Sequence, residues 1–111
     1  MITKVTITQE TTTQAHLMSN TPLLNLLFDK SNWTQKANAK DKDGNVVRLR
    51  SEDAVCWCLL GAGLKCYGEN WYLVETQLLP LIRVKGFLDL INFNDNSTHE
   101  KVVELLKEAQ V

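Results

Sequence analysis

Apolar residues recur at helical spacing in four stretches of the chain and alternate with polar ones in shorter stretches between them. Thr21-Pro22 opens the first helical stretch, with Thr21 as N-cap and Pro22 at the first helical position, where its missing amide proton costs little. Leu23, Leu26 and Leu27 follow at i, i+3 and i+4, which predicts a helix to about Phe28, closed by Ser31-Asn32. The second stretch begins after Ser51, a good N-cap with Glu52 and Asp53 in its first turn. It predicts a helix from about Glu52 to Cys66 that stops near Gly68. Residues 54–64 carry no charged side chain. A helix apolar on every side is buried on every side, so this one is expected at the centre of the core. Gly61 and Gly63 each cost about 1 kcal/mol relative to alanine in a helix interior, tolerable where a neighbouring backbone crosses closely.

In the third stretch Asn70 caps a helix with Trp71, Val74 and Leu78 on one face. Pro80 is expected to end or kink it, because proline lacks a backbone donor and clashes with the preceding turn. Gly86 marks a break, Phe87 to Phe93 reads as a short apolar connector, and Asn94-Asp95-Asn96 as a turn. Ser97 stands three residues before Glu100, the capping-box spacing, ahead of a last helix with Val102, Leu105, Leu106 and Ala109 inward.

Strand signals are fewer. In the polar, Thr-rich segment 1–20, Val5 and Ile7 alternate with Thr6 and Thr8 as a short edge strand would, and Thr11-Thr12-Thr13 reads as a loop. Trp33 to Lys40 and Asn45 to Leu49 look extended, joined through Asp41-Lys42-Asp43-Gly44, and Asp-Gly is a strong hairpin signal. A lone hairpin is marginal in water, and residues 2–8 are the candidate third strand. The expectation is a mainly α (α+β) fold: one compact four-helix-type domain over 21–111, built around a buried central helix, with a small antiparallel β-hairpin.

Length and charge narrow the function classes. At 111 residues the chain is one domain able to bury a core without metal or disulfide staples. Twelve Lys and Arg against 13 Asp and Glu give a net charge of −1, which argues against a dedicated nucleic-acid binder. No apolar run reaches the roughly 20 residues that span a bilayer, and no secretory signal is visible. Three cysteines, an odd number, suit reduced thiols, so a cytoplasmic location is expected. Charge is uneven. Residues 36–50 hold Lys36, Lys40, Lys42, Arg48 and Arg50 against Asp41 and Asp43, a net of +3. Residues 87–111 hold five carboxylates against Lys101 and Lys107, a net of −3.

The residues with chemistry in them are few. Cys56 and Cys58 would point about 200° apart on a helix, so they neither bond to one another nor clamp a metal together. Their spacing is not Cys-x-x-Cys, and no zinc-ligand spacing occurs, so neither a metal nor a cofactor is expected. A thiol nucleophile near the start of a central helix, Cys56 or Cys58, with His99 downstream and Asn94 or Asp95 to orient it, is the enzymatic reading. Against it, Glu52 and Asp53 would raise a nearby thiol pKa, and a histidine in a capping turn is ordinarily a surface residue. Buried free cysteines ordinarily behave as small hydrophobes. The binding reading takes Lys42, Arg48 and Arg50 on the hairpin, with the nearby Trp33, as a contact surface, since interface anchors favour Arg and aromatic residues.

Trp33-Thr34-Gln35, Ala39-Lys40-Asp41 with Asp43-Gly44, Asp53 to Ala62, and Asn94-Asp95 with Thr98 and Val102 resemble the pattern of an uncharacterised family of small bacterial and phage proteins, a domain of unknown function. The resemblance covers about residues 22–110. The chain departs from it at Phe93, where a tryptophan is expected, and in its polar N-terminus. It implies a small, mainly helical domain of bacterial or phage origin, and no activity.

The favoured expectation is a non-catalytic protein-interaction module, encoded by a phage or mobile element and inhibiting or modulating a host bacterial protein. A protein partner is expected, with no membrane partner and no nucleic acid, and a homo-oligomer is compatible with the sequence. The alternative is a thiol-dependent hydrolase or transferase using Cys56 or Cys58 with His99.

Overall fold

The computed structural model describes residues 21–111, so the strand expected at 2–8 lies outside the described residues. Among the described residues the fold has five α-helices and one two-stranded antiparallel sheet: α1 (Pro22–Leu27), β1 (Ala39–Lys40), β2 (Cys56–Trp57), α2 (Leu59–Tyr67), α3 (Trp71–Val84), α4 (Leu90–Asp95) and α5 (His99–Ala109). It is mainly α with a small β element, as the periodicity predicts. Helix α2 is central and touches α1, α3 and α4, while α5 packs on α1 and α3. The core holds Leu23 and Leu27 of α1, Leu59 and Ala62 of α2, Leu78 and Ile82 of α3, Phe93 of α4, and Val102, Leu105 and Leu106 of α5, all essentially without solvent exposure.

Helix α1 starts at Pro22 as expected, but its amides are not closed by the Thr21 side chain. The carbonyl of Val111 accepts from Leu23 N at 3.1 Å and from Leu24 N at 3.4 Å. The two ends of the described segment are thus joined by the donors that every helix start leaves unpaired.

The central helix corrects the sequence reading most. It begins at Leu59, not Glu52, and its N-cap is Cys58, not Ser51. The residues expected to form its first two turns serve the sheet instead: Ser51 Oγ accepts from Asp53 N in a local turn, Val55 N donates to Lys40 O, and Cys56–Trp57 pair with Lys40–Ala39. The Asp-Gly turn forms where expected, with Gly44 N donating to Asp41 O and Asp41 N to Asn45 O, and Lys40 bridges Val46. The 45–49 arm adds that bridge, a bond from Val47 N to Ala39 O and the Leu49 carbonyl, which accepts from Trp57 Nε1 at 2.9 Å, while the ladder belongs to Cys56–Trp57. Uncharged, β-branched and aromatic sequence fits a buried strand as well as a buried helix, and pairing with β1 decides between them.

Gly61 is where the two elements meet. A Cβ there would overlap the carbonyl oxygen of Asn38 and lie 2.9 Å from its carbonyl carbon. Here β1's approach crosses the first turn of α2 with no room for a side chain. At Gly63 a Cβ would run into the indole of Trp71. Close approach therefore accounts for both glycines, one against backbone and one against a ring.

Three smaller differences follow from local chemistry. Helix α3 runs four residues beyond Pro80, which sits on the exposed side, where the carbonyl it leaves unpaired can meet water. The stretch read as connector and turn forms α4, capped by Asp89, whose carboxylate accepts from Asn92 N at 2.8 Å. Helix α5 is capped by Thr98 rather than Ser97: Thr98 Oγ1 accepts from Lys101 N at 3.2 Å, and Ser97 Oγ is buried without a partner among the described residues.

Replacing Gly61 by alanine forces backbone apart rather than a flexible side chain. Gly61→Ala should lower the unfolding free energy by about 3 kcal/mol in a denaturant titration, despite alanine's better helix propensity. A variant as stable as the parent would mean that β1 does not cross α2 at this point.

Candidate functional site

Trp33 leaves the 3-10 turn Lys30–Asn32 in extended conformation beside β2, Thr34 N donates to Trp57 O at 3.0 Å, and the chain bends from Gln35 to Asn38 where an extended stretch is expected. Opposite them stands Asn94, on the last turn of α4, with no solvent exposure and with polar groups on every side. Its Oδ1 accepts from Trp33 Nε1 at 2.7 Å and from the Leu59 amide at 2.9 Å. Its Nδ2 donates to Thr34 O and to Asp95 Oδ1, both at 3.1 Å. Gln35 Nε2 donates to the carbonyls of Asn94 and Ser97, each at 3.0 Å. The Asp95 carboxylate also accepts from Lys36 N at 2.9 Å and so holds Lys36 at φ +67°, a left-handed conformation unusual for lysine. One buried amide thus ties the extended segment, α4 and the start of the central helix.

Cys58 adds to this junction. Its sulfur accepts from Gly61 N at 3.3 Å and lies 3.7 Å from Asn38 Oδ1. Burial pushes its thiol above the ordinary value, with a smaller push from the Asp95 carboxylate and partial relief from the amides of Gly61 and Leu60. A cleft of about 190 Å³ beside it is lined by Lys36, Ala37, Asn38, Cys58, Ile91 and Asp95. Because Cys56 and Cys58 lie on extended backbone, alternation puts them on one face instead of 200° apart. Both remain free, with Cys56 Sγ 3.9 Å from Lys40 O.

His99 is placed differently from a base awaiting a thiol. Its Nε2 lies 2.6 Å from Leu27 O, and because a carbonyl only accepts, that nitrogen carries the proton. Its ring leans on Trp33 with centroids 5.8 Å apart. Among the described residues no hydrogen bond joins it to Cys56 or Cys58. Asp95 stands near Cys58 and is bonded to Asn94 and Lys36. No group of three or more His, Cys, Asp or Glu among the described residues could hold a metal ion.

The hairpin residues also divide. Lys42 and Arg48 are exposed, while Arg50 lays its guanidinium on the central helix, where Nη2 donates to Leu64 O at 2.8 Å. Asp41, Asp43, Glu52 and Asp53 share one hollow with Lys42, so the hairpin tip is mixed rather than basic. Five bonds hold the turn, and the amide of Asn45 in particular keeps the Asp41 carboxyl below the usual carboxylate value. The positive charge gathers elsewhere, in an open cleft of about 370 Å³ lined by Lys30, Trp33, Thr34, Gln35, Lys36 and Lys40, with no carboxylate of the described residues in its wall. Reading residues 36–50 as a unit hides this cleft, because Lys30 is outside that window and Arg50 lies along the central helix instead.

A family model matches residues 10–110. The chain belongs to DUF6197, a family of unknown function. Neither a curated protein nor a solved structure matched the sequence. Membership thus gives this site a family and no activity, and the function has to be argued from the geometry.

Two measurements probe the junction. Asn94→Ala leaves the Trp33 indole N–H and the Leu59 amide without their acceptor in a dry setting. At about 1–3 kcal/mol per stranded donor, unfolding free energy should fall by roughly 3 kcal/mol, read by denaturant titration. For Cys58, the folded state holds the thiol proton more tightly than the unfolded chain. Its stabilising contribution is complete below the ordinary thiol value of 9.0 and is lost as pH rises through the higher folded value. The melting temperature should therefore fall less steeply above about pH 9 in Cys58→Ala than in the parent, although that variant starts about 1 kcal/mol less stable for want of the cap. Equal slopes would show that burial does not raise this thiol.

Proposed function

We propose that the protein is a non-catalytic interaction module that receives an acidic segment of a protein partner in the lysine-lined cleft around Trp33 and acts by covering it. The observation that carries this reading is the cleft itself. Lys30, Lys36 and Lys40 line one open hollow with no carboxylate of the described residues in its wall, in a protein whose net charge is −1. Like charges gathered without counter-charges repel one another, and an anionic partner relieves that cost. Trp33, half-buried with its N–H already spent on Asn94, offers a rigid apolar surface to a side chain between the acidic residues.

A thiol-dependent hydrolase or transferase finds less support. The Cys58 thiol is pushed toward its protonated form, no hydrogen bond among the described residues joins His99 to it, and Asn94 is spent on structure. A nucleophile needs a base within hydrogen-bond reach and a base that is free to take a proton. Of the hairpin residues, Lys42 and Arg48 remain free to extend a contact surface, while Arg50 and Trp33 also serve the fold.

The test is association with a fluorescently labelled, Asp/Glu-rich peptide containing one aromatic residue. Lys36→Glu/Lys40→Glu should weaken binding about tenfold or more and slow association, with the larger effect at low salt, while the melting temperature stays within a few degrees. Binding that ignores both charge reversal and salt would sink the cleft as the contact surface. Turnover of an amide or ester that disappears in Cys58→Ser would reverse the ranking of the two readings.

A further inference from the structure

The ends of α3 and α4 meet the first turns of α5 around a recess that neither the lysine-lined cleft nor the Asn94 side chain occupies. Its volume is about 310 Å³, and its walls include Lys85, Phe87, Phe93, Ser97, Lys101 and Glu104. The chain builds it by reversing after α3. Lys85 caps that helix, Gly86 turns with φ +96°, and Phe87 N donates back to Ile82 O at 3.0 Å. This sets the Phe87 ring edge to face against Phe93, with centroids 5.1 Å apart and planes at 85°. Phe93 is buried and fixed by the core, while Phe87 keeps part of its surface open.

Ser97 carries the observation that points to a ligand. A capping box beginning at Ser97 would occupy its hydroxyl, but α5 starts one residue later, on Thr98. The Ser97 carbonyl is taken by Gln35 Nε2 at 3.0 Å, whereas its Oγ is shielded from water with no partner among the described residues. A buried polar atom left unpaired is uncommon in a folded protein and costs stability. A serine hydroxyl turns about single bonds, so an acceptor entering the recess can draw it into a hydrogen bond. The neighbouring Asn96 amide is already engaged, donating from Nδ2 to Asn92 O at 2.9 Å.

Charge at the recess favours an anion: Lys85 and Lys101 stand against Glu104. Lys85 also meets Glu108 at 3.3 Å, but the two side chains are 40% and 50% exposed. An ion pair so open to water is weak, and an ammonium group has three donors to share. We propose that the recess binds a small free aromatic carboxylate, its ring against Phe87 and Phe93 and its carboxylate drawn to Lys85, Lys101 and the Ser97 hydroxyl. A third ring extends an edge-to-face pair through the same complementary edges and faces. The volume lies at the small end of ligand sites, which suits a molecule with one ring. With about a dozen non-hydrogen atoms, such a ligand should bind with a dissociation constant on the order of 0.5 mM.

This recess shares no lining residue with the lysine-lined cleft, so either reading can fail alone. The test is a titration of the isotope-labelled full chain with 3-phenylpropionate, followed by amide chemical shifts. Saturable shifts should centre on Phe87, Ser97 and Lys101. Phenethylamine, which keeps the ring and replaces the carboxylate by an ammonium, should bind at least about tenfold more weakly. Lys101→Glu, at an exposed position, should weaken 3-phenylpropionate about fivefold and leave the melting temperature within a few degrees. Ser97→Ala should move two readouts in opposite directions. Removing the unpaired hydroxyl should raise the melting temperature by about 1–2 °C and weaken binding about threefold. A hydroxyl with only a structural role would change the first and not the second. Shifts that do not saturate by about 10 mM overturn the proposal, as does equal binding of phenethylamine or indifference to Lys101→Glu.

Discussion

The rest of the structure depends on the side chain of Asn94. A single buried amide satisfies the indole of Trp33, the first amide of the central helix, the carbonyl of Thr34 and the carboxylate of Asp95. Each of those groups would be costly to leave dry and unpaired, and no other polar side chain among the described residues is fully buried. The amide succeeds because it offers acceptor and donor sites together. Aspartate would lack the donors, and leucine would lack both. The position of α4 against β2 and α2 is therefore set by hydrogen-bond accounting as much as by the apolar contacts of Phe93 and Leu90.

The same accounting changes the meaning of the residues that look chemical. Cys58, His99, Asp95 and Asn94 do cluster around the start of the central helix and the neighbouring Trp33, but each already holds part of the fold: sulfur as helix cap, the Nε2 edge of the imidazole on a carbonyl, carboxylate on a lysine amide, side-chain amide on the Trp33 indole and the Leu59 amide. Polar groups in a small domain first have to satisfy the backbone groups that packing buries. Among the described residues, packing leaves alone the lysines around Trp33 and the outer side of α3.

The parts of the fold legible in the sequence are those where one local signal dominates. Pro22 marked the start of α1, the Val102, Leu105 and Leu106 spacing marked the inward side of α5, and Asp43-Gly44 marked the turn. The close approach suspected at Gly61 is present, with Asn38 as the neighbour. The start of the central helix was not legible, because Val55 to Trp57 fits a strand or a helix equally and the partner that decides, Ala39–Lys40, is 16 residues or more away in sequence. Helix α4 was missed because Asn94, Asp95 and Asn96 carry strong turn preferences that Phe93 and Leu90 override by burial. Of the site, the Trp-Thr-Gln and Asn-Asp motifs could be seen but not their bonding to one another, since sequence spacing says nothing about a contact spanning 61 residues.

That span has a consequence for the order in which the chain acquires its shape. The first turn of the central helix is closed by a capping sulfur that is a weak acceptor and by a side-chain amide that arrives from Asn94, 35 residues downstream. The first amides of the first helix donate to the carbonyl of residue 111. During synthesis, at roughly 5–20 residues per second, α1 and α2 are thus exposed as incomplete helices for several seconds until the last quarter of the chain emerges. Non-local bonds that repay their loop-closure cost only at the end make folding a concerted, late event. The domain is therefore all or nothing: a ribosome stalled before Asn94 would hold a chain with apolar helices and no lock.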